Sequence, residues 1–121
     1  MHKKRVRDIV HTPDFCITEA TKNATPLSIQ PCNKWNRRKF KFTRKTNKIR
    51  TKSGKCVDIL NNRIVQSKCN NKVKTQKWKY KNKQFCSLAN KKCMDVEFGD
   101  YRKGALIAYS CHNGPNQKFH A

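Results

Sequence analysis

The stretch Cys93-Met94-Asp95-Val96-Glu97-Phe98-Gly99-Asp100-Tyr101-Arg102-Lys103-Gly104-Ala105-Leu106-Ile107-Ala108-Tyr109-Ser110-Cys111-His112-Asn113-Gly114-Pro115-Asn116-Gln117-Lys118-Phe119 decides the reading of the fold. It opens with Cys-x-Asp and closes with Asn-Gln-x-aromatic. The same skeleton recurs upstream as Cys56-Val57-Asp58 with Gln76-Lys77-Trp78, and more faintly from Cys16 through Cys32 to Phe40. The first cysteine of each unit precedes the second by 16, 13 and 18 residues, and the second precedes the closing aromatic by 8, 9 and 8. Units repeating every ~40 residues cannot close a core alone and must pack on one another. The sequence therefore predicts threefold internal symmetry, with lobes over residues 9–42, 43–80 and 81–121 and a basic arm over residues 1–8.

Inside the lobes the pattern is that of short strands. Val57 and Ile59 flank Asp58, and Met94 and Val96 flank Asp95, each an alternating arrangement. Ser53-Gly54, Asn61-Asn62 and Asn113-Gly114-Pro115 are turn signals between them. Turns at such spacing, without helical periodicity, point to an all-β closed body. Phe40, Trp78 and Phe119 are expected to meet in its core. Trp35 sits in a polar stretch and fits a core, a capping or an exposed role.

The whole chain is long enough for one domain. Its net charge of +22, from 29 Lys+Arg against 7 Asp+Glu, favours polyanionic partners: nucleic acid, acidic glycans or anionic lipid. Residues 34–55 hold eleven Lys/Arg and no acid. Arg37, Arg38, Lys39, Lys41, Arg44, Lys45, Lys72 and Lys74 are the candidate polyanion contacts, with a merely solvated charged face as the competing reading. Sulfated polysaccharide and structured RNA fit them equally. No apolar run reaches the ~18 residues of a spanning helix. The start Met1-His2-Lys3-Lys4-Arg5-Val6-Arg7 has no apolar stretch behind it and does not read as a signal peptide.

Seven cysteines in 121 residues suggest disulfides or a metal site. The repeat favours pairing within each unit, Cys16–Cys32, Cys56–Cys69 and Cys93–Cys111, which suits a secreted or surface protein. Buried thiols remain the alternative for an intracellular chain. Without a Cys-x-x-Cys pair, no metal is expected. Cys86 is left over. It lies seven residues before Cys93, as Ile49 lies before Cys56, and is expected as a small core residue; an intermolecular bridge is the sharper alternative.

The elements Ser53-Gly54-Lys55-Cys56-Val57-Asp58, Thr75-Gln76-Lys77-Trp78, Lys92-Cys93-Met94-Asp95, Tyr109-Ser110-Cys111-His112-Asn113-Gly114 and Asn116-Gln117-Lys118-Phe119 resemble the ricin B-chain-type (R-type) lectin family, also seen in lectin domains of N-acetylgalactosaminyltransferases. The resemblance implies a β-trefoil of twelve short strands in three lobes. It implies at most one shallow sugar pocket per lobe, taking galactose or N-acetylgalactosamine. In such a pocket an Asp accepts sugar hydroxyls while a ring covers the apolar sugar face. Carried onto this sequence, the resemblance assigns Asp95, Tyr109 and Asn116 to the pocket, Gln117 as its support and His112 at its edge. The competing role for Asp95 is closing a turn on backbone N–H groups. Ser67 and Thr75 replace the ring and the Asn in lobe two, and Thr18, Gln30 and Arg37 stand at the three places in lobe one. One competent lobe is expected.

Catalysis is not expected: no nucleophile–His–acid set, phosphate loop or cofactor motif is present. Two functions follow, with a structural or adhesive component cross-linked through Cys86 as a third reading. One is a basic sugar-binding module, secreted or at a surface; the Asn23-Ala24-Thr25 sequon agrees with this. The other is an intracellular trefoil that binds RNA or a ribosome and carries a vestigial sugar site.

Overall fold

The computed structural model describes residues 6–8, 10–12, 15–20, 22–36 and 39–120. Among them the chain forms twelve strands and three 3-10 turns, and no α-helix. Lobe one holds β1 (Val6–Asp8), β2 (Val10–Thr12), β3 (Phe15–Thr18), β4 (Ser28–Pro31) and β5 (Phe40–Thr43). Lobe two holds β6 (Lys48–Thr51), β7 (Cys56–Leu60), β8 (Arg63–Ser67) and β9 (Trp78–Lys81). Lobe three holds β10 (Gln84–Ser87), β11 (Cys93–Val96) and β12 (Leu106–Tyr109).

The repeat becomes a repeated hairpin. In each lobe the strand that begins at or beside the first cysteine pairs antiparallel with the strand leading to the second. The registers match: Cys16 faces Gln30, Cys56 faces Ser67 and Cys93 faces Tyr109. The second cysteine stands two residues beyond each facing residue, and all three pairs are bonded, Cys16–Cys32, Cys56–Cys69 and Cys93–Cys111. Asn61 and Asn62 both take left-handed φ, 51° and 62°, the two-residue turn whose twist suits a hairpin. Nine strands run in one sheet in the order β1-β5-β6-β7-β8-β12-β11-β10-β9, and β2-β3-β4 form a second. Lobes two and three repeat the same joint: Trp78 N–H donates to Asn47 O, and Phe119 N–H to Lys83 O, both at 2.7 Å. This is a β-trefoil.

The core forms where the lobes meet. Phe40, Trp78 and Phe119 are each at most 1% exposed and share one apolar cluster with Ile17, Ile49, Val57 and Phe85. Phe85 is 5.3 Å from Phe42 and 4.6 Å from Tyr80, ring to ring. Trp78 Nε1 donates to Val57 O at 3.2 Å, so the buried indole leaves no donor unmet.

Two expectations are corrected. Val6–Asp8, assigned to the arm, form β1 and pair with β5. Cys86 is half-buried and lies outside the apolar cluster. The reason is register. Cys86 faces Cys93 across the sheet, and the residue that faces Cys56 is Arg50, not Ile49. The link from β10 to β11 is one residue longer than that from β6 to β7, which shifts the alignment by one.

Candidate functional site

In lobe three β11 carries Asp95, β12 carries Tyr109, and the 3-10 turn Pro115–Gln117 carries Asn116 and Gln117. Asp95 is 2% exposed. A buried carboxylate needs donors, and it has them. Asn116 Nδ2 donates to Oδ1 at 2.9 Å and Gln117 Nε2 to Oδ2 at 2.8 Å. His112 Nε2 stands 3.5 Å from Oδ2.

Gln117 is the bracket. Its Nε2 also donates to Ser110 O at 2.9 Å, and its Oε1 accepts from His112 N–H at 2.9 Å and Gln84 Nε2 at 2.8 Å. All four hydrogen-bonding positions of this fully buried amide are filled. It ties β11, the loop after β12 and β10 together, which fixes where the carboxylate points.

Asp95, Asn116, Tyr109 and His112 line one open pocket of about 560 Å³. Tyr109 is 54% exposed, and its ring centroid is 6.4 Å from that of His112. Gln117 lies behind the pocket rather than on its wall. The sequence reading missed other lining residues. Phe98, 94% exposed and at φ 56°, belongs to the turn after β11. Arg63 Nη1 reaches Glu97 Oε1 at 2.9 Å, and Lys92 Nζ donates to Asn62 Oδ1 at 3.0 Å, so the lobe-two hairpin contributes to the rim. Only Phe98 had a local signal, an apolar ring between Glu97 and Gly99.

Lobe two repeats the bracket without the pocket chemistry. Gln76 Nε2 donates to Asp58 Oδ2 at 3.2 Å and Lys68 O at 2.8 Å, while Asp58 Oδ1 accepts the Ile59 N–H at 2.7 Å. Ser67 stands opposite Cys56, in the place of Tyr109. In lobe one Asn36 is the bracket. Its Nδ2 donates to Thr18 Oγ1 at 3.3 Å and Pro31 O at 3.1 Å, and its Oδ1 accepts the Asn33 N–H at 2.9 Å. This corrects the alignment: the residue before the bracket, matching Asn116, is Trp35 and not Arg37. Trp35 is 71% exposed, with Lys34 Nζ 5.0 Å from its ring.

Of the basic candidates, Arg37 and Arg38 lie outside the described residues. Lys39 is half-buried, and Lys41, Arg44, Lys45, Lys72 and Lys74 are exposed. Lys48, in the same basic run, is instead buried at 3% exposure, its ammonium donating to Asn71 Oδ1. No helix among the described residues is long and apolar enough to cross a membrane.

The fold and bracket define a trefoil of the lectin type. The chain matches the ricin-type beta-trefoil lectin domain over residues 5–119, and it belongs to that family. Its fold is similar to the agglutinin from Abrus precatorius (20% identity, 95% of this chain and 45% of that one, TM-score 0.76). It is similar also to a non-toxic homologue of type II RIPs from Momordica charantia, in complex with α-methyl-D-galactoside (21% identity, 95% and 46%, TM-score 0.77). A third is the C-half of an earthworm R-type lectin in complex with GalNAc (16% identity, 94% and 97%, TM-score 0.71). The chain spans less than half the length of the Abrus and Momordica chains. A search of curated protein sequences finds no match.

Proposed function

We propose that the protein is a carbohydrate-binding module that takes galactose or N-acetylgalactosamine in the lobe-three pocket. The observation that carries this is the Asp95 carboxylate, held from behind by Gln117 and flanked by Asn116 and the exposed Tyr109 ring. Asp95 accepts two sugar hydroxyls, Asn116 adds a polar contact, Tyr109 stacks on the apolar face and His112 closes the edge. The galactoside and GalNAc complexes of the Momordica and earthworm proteins support this sugar class. A single open pocket binds a monosaccharide at about millimolar Kd, ~4 kcal/mol. The three disulfides and the exposed Asn23 of the sequon support an extracellular setting.

A second reading concerns the basic lobes. The exposed Lys41, Arg44, Lys45, Lys72 and Lys74, on a chain of net charge +22, favour a sulfated polysaccharide as a separate ligand. The test is a titration with galactose, N-acetylgalactosamine and glucose followed by NMR, beside heparin and RNA binding at two salt concentrations. Saturable shifts at Tyr109 and His112 with the first two sugars alone are expected, with heparin binding that weakens with salt. Equal response to glucose removes the sugar assignment; RNA binding stronger than heparin binding favours the intracellular alternative.

A further inference from the structure

The chain has one cysteine outside the three disulfides, and it is not isolated. Cys86 Sγ lies 2.9 Å from Cys93 Sγ and 3.6 Å from Cys111 Sγ. These two sulfurs are bonded to each other. The equivalent positions in the two other lobes show what is unusual. Facing the first cysteine of its lobe, lobe two has Arg50, whose Nη1 sits 3.6 Å from Cys69 Sγ, and lobe one has Val10. Lobe three alone puts a thiol against its own disulfide. Cys86 and Cys93 are directly opposed on neighbouring antiparallel strands, close enough for either to bond the other.

We propose that Cys86, Cys93 and Cys111 form one exchangeable sulfur site, in which Cys86 displaces Cys111 from Cys93 and leaves Cys111 as an exposed thiol open to modification. The Cys86 thiolate gives its electron pair to Cys93 Sγ. The Cys93–Cys111 bond breaks, and Cys111 leaves with that pair as thiolate and takes up a proton. No electron is gained or lost, so no outside oxidant is needed. A low-molecular-weight disulfide can then be attacked by the Cys111 thiolate, giving a mixed disulfide and one released thiolate.

Geometry sets the first step. In-line attack would place Cys86 Sγ about 5 Å from Cys111 Sγ. The 3.6 Å found means that Cys86 approaches side-on, so its side chain rotates before exchange. The leaving side is favourable. Cys111 belongs to an exposed loop, its sulfur near Lys91 O at 3.4 Å, whereas Cys93 is fully buried. The freed residue would lie between Ser110 and His112, both held by Gln117, so modification at Cys111 reaches the rim of the pocket. The exchange chemistry itself does not depend on what the pocket binds.

The experiment traps the released thiol. Native, non-reduced protein is held with N-ethylmaleimide at mildly alkaline pH and mapped by non-reducing peptide mass spectrometry. Label at Cys111 together with a Cys86–Cys93 cross-link is expected, growing with time, and Cys86→Ser should abolish it. Label confined to Cys86, no label at all, or Cys111 label that persists in Cys86→Ser would each overturn the proposal. A second variant, Cys111→Ser, should lose both remaining thiols in a glutathione redox buffer by closing Cys86–Cys93. Two thiols still titratable there would show that the bond cannot form.

Discussion

Gln117 Nε2 donates to Asp95 Oδ2 at 2.8 Å, and one lobe back Gln76 Nε2 donates to Asp58 Oδ2 at 3.2 Å. In lobe one Asn36 makes the same reach to Thr18, a hydroxyl. The three brackets thus differ in what they hold: two carboxylates and one neutral group. Removing a donor from a buried charge costs more than removing it from a neutral partner. Gln117→Ala and Gln76→Ala should each lower stability by about 3 kcal/mol, and Asn36→Ala by about 1 kcal/mol. Urea unfolding of the three variants measures the order, and an Asn36 variant as costly as the other two would remove the charge argument. Only Gln117→Ala should also lose sugar binding, because only its carboxylate lines the lobe-three pocket.

Tyr109 is half exposed, and its hydroxyl makes no hydrogen bond among the described residues; only its backbone belongs to the β11–β12 ladder. Tyr109→Ala should therefore leave the unfolding midpoint nearly unchanged. Galactose affinity should fall about tenfold or more, the loss of a contact of over ~1 kcal/mol. Heparin retention should not move, since no Lys or Arg is lost. Parallel loss of sugar and heparin binding on a salt-gradient column would mean that one surface serves both.

The fold was legible because its markers are local and repeated: Cys-x-Asp, a turn, and an aromatic two residues after a Gln. Asp95, Tyr109, His112 and Asn116 are legible for the same reason, since one lobe supplies all of them. Arg63 and Asn62 reach the rim from lobe two, and nothing in the sequence around Asp95 announces them. Lobe one misaligned because its bracket is Asn36, one methylene shorter than Gln, so the Gln-x-aromatic marker is missing. Cys86 misaligned through a one-residue difference in a turn. In a strand such a slip moves a side chain to the other face, from core to disulfide.

Lys48 carries a pH signature. Burial pushes its ammonium below the ordinary 10.5, and the charges of Arg50 and Lys77 push the same way. The unfolded chain then holds a proton that the folded chain has released, within the window between the lowered value and 10.5. Stability from this group rises with pH through that window, because deprotonation relieves the cost of the buried charge. Lys48→Met removes the effect and keeps the stem. The variant should be more stable near neutral pH, and its lead should shrink as pH approaches 10.5. Comparing the two proteins pH by pH cancels the titration of the other lysines. A lead that stays constant would show that Lys48 is not the source.

Gly104 joins lobes one and three. Ile29 N–H donates to Gly104 O at 2.8 Å, and a Cβ on Gly104 would sit 2.2 Å from Ile29 O. Its φ of 64° adds a second objection to any side chain. Gly54 separates the two effects: its φ is 92°, yet nothing lies within 4 Å of the added carbon. Gly54→Ala should cost only the backbone strain, about 1 kcal/mol. Gly104→Ala must also force β4 and the loop before β12 apart, and should cost more than about 3 kcal/mol. Thermal and urea unfolding of both variants give the comparison. Hydrogen exchange should locate the extra loss at Ile29, whose amide is tied to Gly104; unchanged protection there, or equal cost at the two glycines, would mean that the lobe contact contributes little.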